Sequence, residues 1–161
     1  MEYKDLFDDF VKWKKVNGVF TALDYLGIKS NCEQLLLSSV LFFPDLIIVE
    51  GSYFLRESRQ WGDVEGFWQN TETATNLEET MNDVCLANIF PEDVDEHKFH
   101  YLIKIISMSW NMYFSEKYKD LDLCVKPYND EYDGWSITVY KKDDNRKKPK
   151  LETLINIRDA L

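Results

Sequence analysis

The stretch "PYNDEYDGWSITVYKK", Pro127–Lys142, decides how the chain is read. Asn129, Glu131, Asp133 and Gly134 fall at the first spacings of a calcium-binding loop. Such a loop also needs a bidentate Glu at its twelfth position and a helix after it. Here the ninth position is Ile137 and the twelfth is Tyr140, both inside a regular alternation. Trp135, Ile137 and Val139 share one face, and Ser136, Thr138 and Tyr140 the other. "LDLCVKPY", 121–128, alternates before the acidic stretch. Asn, Asp and Gly serve a turn through side-chain bonds to nearby backbone and tolerance of positive φ. The stretch therefore reads as the tip and second strand of a β-hairpin, with no metal and with Asp130, Glu131 and Asp133 offered to a partner.

A second hairpin precedes it. In "DLIIVEGSYFLRE", 45–57, β-branched and aromatic residues flank Glu50-Gly51, giving strands 45–49 and 52–57. Strands that come as local pairs, with runs of helix between them, predict an α+β fold. The expectation is one antiparallel sheet of about four or five strands built from hairpins, covered by helices, in a single domain spanning 1–161.

The helices follow from period and punctuation. Tyr3, Leu6, Phe7, Phe10 and Trp13 recur at helical spacing up to Asn17-Gly18. "FTALDYLG", 20–27, adds a turn or two. Ser30-x-x-Glu33 is a capping box opening "EQLLLSSVLFF", expected to be a mostly buried helix ending at Pro44. Thr75-x-x-Glu78 is a second capping box, and Leu77, Met81, Val84 and Cys85 make the stripe of a helix that ends before Pro91. The longest helical signal is 91–121, with an acidic start and Lys117 and Lys119 at its end. It is apolar over enough of its girth to be packed on more than one side. "DDNRKKPK", 143–150, reads as a charged mobile linker, and "LETLINIRDAL", 151–161, as a closing amphipathic helix.

Between the first hairpin and the second capping box, "SRQWGDVEGFWQNTETAT", 58–75, reads as a long loop with a further strand near 66–69. Its Trp61, Phe67 and Trp68 suit core packing. The functional alternative is a binding face of rigid aromatics ringed by Glu57, Asp63, Glu65 and Glu72.

Composition narrows the functions. The formal charge of the 161 residues is −10, and it is lopsided: residues 1–100 sum to −11 and residues 101–161 to +1. An acidic surface repels phosphate backbones and attracts a basic protein. If those carboxylates form a continuous docking surface, the partner is a cationic macromolecule. No apolar run reaches the ~18–20 residues of a membrane helix. "MEYKDLFDDF" is neither signal nor transit peptide, so a cytoplasmic protein is expected. Cys32, Cys85 and Cys124 are far apart and read as buried free thiols. His97-x-x-His100 lacks the spacing of the zinc-protease motif. No phosphate-cradling loop or nucleophile elbow is present.

Three function classes remain. The leading one is a non-enzymatic acidic binding module in the format of an immunity protein, which neutralises a basic bacterial toxin by occlusion. The others are a scaffold or assembly subunit, and a hydrolase built on scattered carboxylates. The partner-binding candidates are Glu57, Trp61, Asp63, Glu65 and Trp68 on the aromatic segment and Asp130, Glu131 and Asp133 at the hairpin tip, with no cofactor.

Overall fold

The computed structural model describes residues 7–91, 95–143 and 145–161. The expectations for Tyr3 and Leu6 and for the acidic residues 92–94 lie outside the described residues. The chain is α+β and divides into two compact units, 1–41 and 42–161.

The first unit holds α1 (Asp8–Val16), α2 (Ala22–Lys29) and most of α3 (Cys32–Phe42). Its centre is aromatic. Phe20 is buried, with ring centroids 5.9 Å from Phe10, 5.6 Å from Trp13 and 6.4 Å from Tyr25. Thr21 and Asp24 close a capping box on α2, and those hydrogen bonds from Thr21 lower the Asp24 pKa. The box on α3 sits one residue later than expected. Asn31 Oδ1 accepts from the Gln34 amide at 2.9 Å, and Gln34 Oε1 accepts from the Asn31 amide at 3.0 Å. Ser30 lies one step too early because the helix starts at Cys32. The expected burial of α3 is corrected too: it has no buried residue, and Leu36 is 72% exposed. Cys32 is likewise exposed, whereas Cys85 is buried and Cys124 half-buried.

The second unit opens with β1 (Leu46–Val49) and β2 (Ser52–Leu55), joined at Glu50 and Gly51 with φ of 49° and 83°. Two positive φ values are what a type I′ hairpin turn requires. The segment expected as a loop is instead a 3-10 turn, Arg59–Asp63, followed by α4 (Val64–Asn70) and α5 (Ala74–Met81). No strand forms at 66–69. Thr73, not Thr75, caps α5, its side chain accepting from the Asn76 amide at 3.1 Å. The expected long helix then breaks at Asn82. Val84–Cys85 become β3, and Leu86–Ile89 form the short α6. The long α7 (Glu96–Lys117) follows, capped by Asp95, and then β4 (Leu123–Asp130), β5 (Gly134–Lys141) and α8 (Leu151–Arg158).

Among the described residues there are five strands, all paired antiparallel, in a two-stranded sheet β1-β2 and a three-stranded sheet β3-β5-β4. Side chains of α5 and of the residue after it bridge the β2 and β5 edges. Asn82 accepts from Leu55 N at 2.7 Å and donates to Tyr53 O at 2.8 Å and Val139 O at 2.7 Å. Glu78 accepts from Tyr53 N at 3.0 Å and Lys141 N at 2.8 Å. Two side chains thus do the work of a missing backbone ladder, satisfying donors that would be costly to bury unpaired. The same bonds show that β5 turns its odd-numbered backbone groups away from β4. Pro127 pairs with Ile137, an odd position, so the proline costs no ladder bond and blunts the free edge of β4.

The segment read as a mobile linker is bound at Arg146, Lys148, Pro149 and Lys150. Arg146 reaches Glu78 with two bonds of 2.6 and 2.9 Å and caps Gly51 O and Lys141 O. Lys148 lies 4.0 Å from the Trp68 ring centroid and donates to Thr71 O at 2.6 Å, while Trp68 donates to Pro149 O at 2.9 Å. Glu50 accepts from Lys150 N at 3.0 Å and Thr153 Oγ1 at 2.9 Å, capping α8 from the hairpin turn. Two of the charges that suggested solvation, Arg146 and Lys148, are spent on tertiary partners, while Lys147 is exposed. Phe54, Trp61, Val64, Leu77, Met81 and Leu154 form the core beneath. α7 buries Phe99, Ile103, Ile106, Trp110 and Phe114, but Ile105, Met108 and Met112 stay exposed, so its expected packing on more than one side does not hold. Among the described residues no helix is long and apolar enough to cross a membrane.

Candidate partner-binding site

Part of the lopsided charge of the chain is an internal match. Asp45 pairs with Lys117, Glu79 with Lys126, Glu78 with Arg146 and Glu65 with Arg158. Four acids of the first hundred residues thus meet four cations of the remainder. The carboxylates of Asp45 and Glu65 are held below their ordinary pKa by the hydrogen bonds from Lys117 and Arg158. These four pairs take Asp45, Glu65, Glu78 and Glu79 out of the expected acidic docking surface, and the chain as a whole still carries a formal charge of −10.

One carboxylate is treated differently. Asp83 follows the break after α5 and is half-buried, with the Tyr128 hydroxyl donating to it at 2.6 Å. Burial pushes its pKa up, and the negative charges of Asp133 and Asp130 push it further, against the lowering effect of the Tyr128 bond. Burial and the Asp83 bond raise the Tyr128 pKa in turn. No ion pair to Asp83 forms among the described residues. It opens on a cleft of about 270 Å3 whose walls include Glu57, Ser58, Arg59, Cys85 and Asn88. Arg59 is turned to the Asn88 carbonyl at 3.0 Å.

The hairpin tip is fastened beside this cleft. Cys85 donates its thiol to Asp133 O at 3.1 Å, tying β3 to the turn. Asp130 Oδ1 accepts from the amides of Tyr132 at 2.8 Å and Asp133 at 3.2 Å, and Gly134 adopts φ of 75°. The tip is thus a rigid Asx turn, as its composition predicts. Asp130, Glu131 and Asp133 are exposed on it.

The structure therefore separates the candidates read from sequence. Glu57, Asp130 and Asp133 gather around Asp83, with Glu131 on the same turn. The aromatic segment lies elsewhere. Trp61 is 5% exposed, packs on Phe54 at 5.6 Å and donates to Leu55 O at 3.0 Å, so its role is packing. Trp68 is half-buried between Lys148 and Pro149, and Glu65 is held by Arg158 at 2.8 and 2.9 Å. Asp63 is exposed, its carboxylate lying over Gly66, where an added Cβ would come within 2.5 Å of it. Sequence reasoning missed Asp83, Tyr128 and Cys85. The one local signal was Asn82-Asp83, a polar pair interrupting an apolar stripe; the rest needs the register that sets Val84 against Ile137 and Tyr128 against Ser136.

His97 is exposed, while the His100 ring lies 4.9 Å from that of Trp135. Among the described residues no group of three His, Cys, Asp or Glu side chains is placed to hold a metal ion. What the Asp83 cleft can do is receive positive charge: a guanidinium or ammonium there would relieve the repulsion among Asp83, Asp130 and Asp133. No family model matches the chain, and no curated protein and no solved structure is similar enough to it to count as a match.

Proposed function

We propose that this chain is a non-enzymatic acidic binding module of the cytoplasm, of immunity type, that neutralises a basic toxin by occluding it. The contact centres on the Asp83 cleft, with Glu57 on its wall and Asp130, Glu131 and Asp133 beside it. The observation that carries the reading is the exception Asp83 makes. Asp45, Glu50, Glu65 and Asp95 have lowered pKa values through hydrogen bonds within the chain, and Asp83 a raised one among like charges. Groups whose pKa is shifted by burial and by neighbouring charge in a cleft are enriched at functional sites. A cationic side chain from a partner supplies what the fold withholds, and the rigid tip beside it fixes register.

The test is calorimetric titration with the purified product of the gene adjacent to this chain's own, at about 50 mM and about 500 mM salt. Tight binding that weakens steeply with salt is expected. The D83N/D130N/D133N variant is expected to lose at least about tenfold in affinity with its fold intact. Equal affinity at both salt concentrations, or in the variant, sinks the reading. A hydrolase using Asp83 as its acid is the second reading, favoured by the same raised pKa. Turnover abolished by D83N alone would select it.

A further inference from the structure

A groove of about 360 Å3 runs between α7 and the β4–β5 hairpin, away from the acidic character of the rest of the chain. His100, Ile103, Lys104, Ser107 and Met108 line it at the spacing of one helical stripe, facing Pro127 and Trp135. No Asp or Glu contributes to its wall. Ile103 is buried at its floor, Trp135 is half-buried, and Met108 is exposed at its rim. The Lys104 ammonium sits 5.7 Å from the Tyr101 ring centroid, and no carboxylate among the described residues reaches it. The groove is thus an apolar slot with a cationic lip. It fits an aromatic side chain flanked by carboxylates.

The chain carries such a group at the end of the same hairpin. Tyr132 is 93% exposed on the rigid turn, between Glu131 and Asp133. We propose that a second copy of this chain occupies the groove, Tyr132 seating against Trp135, His100 and Met108 while Glu131 meets Lys104. Because tip and groove belong to one hairpin, a two-fold axis makes the contact twice, a closed isologous pair. A rigid aromatic in an apolar pocket is the usual anchor of an interface. The buried area is small, and the −10 charge of each copy opposes association, so the dimer falls in the weak, transient class. The inference does not rest on the basic-partner reading. Since both use the tip, a bound basic partner and the second copy exclude each other.

The experiment is sedimentation velocity on the full chain from about 10 µM to about 1 mM, where weak interfaces populate. A concentration-dependent passage from monomer to dimer is expected. Y132A, K104E and E131K, all at exposed positions with folding checked by circular dichroism, are each expected to weaken the dimer at least about tenfold. The exchanged pair K104E/E131K is expected to regain most of that loss. A monomer at every concentration overturns the proposal. So does a dimer indifferent to Y132A, or an exchanged pair no better than its parents.

Discussion

Glu78 and Asp83 stand five residues apart at one end of α5, and the fold treats them in opposite ways. Glu78 is fully buried, yet each of its oxygens accepts a backbone amide and an Arg146 nitrogen. Asp83 is only half-buried, yet it has one hydroxyl donor and two acidic neighbours. The deeper charge is the better served. Burial alone therefore does not set how well a carboxylate is served; the useful contrast is between charge the chain answers with a cation of its own and charge it places beside other acids.

The largest effect is expected from Arg146→Ala. It strands a buried carboxylate between two strands, and removing one partner of a buried pair typically costs about 3–5 kcal/mol. Urea unfolding followed by circular dichroism measures it. A loss below about 1 kcal/mol would mean that water reaches Glu78 and that the clamp is not closed in solution. Replacing both partners with apolar groups is no cure here, because the amides of Tyr53 and Lys141 would lose their acceptor.

Asp83→Asn should move stability the other way, by a gain of about 0.5–1 kcal/mol at neutral pH. The sign follows from linkage. The folded pKa of Asp83 lies above its ordinary 3.8, so the folded state holds the proton more tightly than the unfolded chain does. Its contribution is fully present below 3.8 and is lost as pH rises through the folded value. Asp45 and Glu65, with lowered pKa values, act oppositely: their stabilisation is present above 3.8 and 4.5 and is lost as pH falls through their folded values. Thermal unfolding of wild type and variant across pH 3–8, a range about that of carboxylate titration, should give curves that converge at the acid end. Curves that stay parallel would remove Asp83 from the contrast.

What could be read from sequence was local, and what could not was the pairing of distant charges. Both hairpins and α7 are written in period and turn chemistry within about a dozen residues each, and the structure has them. The run Asp143–Lys150 has the composition of a solvated linker; only Glu78, 68 residues earlier, makes Arg146 structural. Thr75 and Glu78 have the spacing of a capping box, but Thr75 instead bonds Lys141 O at 3.1 Å, so tertiary demand overrode a local motif. The helix expected through Val84 stops because Asn82 serves three backbone groups on two strands from its end. The acidic tip was readable as a turn, and its neighbour Asp83 was not, because Asp83 joins it through the β3–β5 and β4–β5 registers and the Tyr128 bond.

The smallest effects separate two surface acids that composition cannot tell apart. Glu57 and Asp63 are both exposed, six residues apart, the first ahead of the 3-10 turn and the second its last residue. Glu57→Gln and Asp63→Asn should each change stability by no more than about 0.5 kcal/mol, as exposed substitutions do. Partner affinity should divide them. Glu57 lines the Asp83 cleft, so its loss should weaken a cationic partner about three- to tenfold, with most of the effect in the association rate at low salt. Asp63 lies over Gly66 at the start of α4, outside that cleft, and its replacement should leave affinity unchanged. Stopped-flow association at about 50 mM salt resolves the two. Equal losses would mean that the partner senses only net charge; a loss confined to Glu57 would mean that it reads a place on the surface.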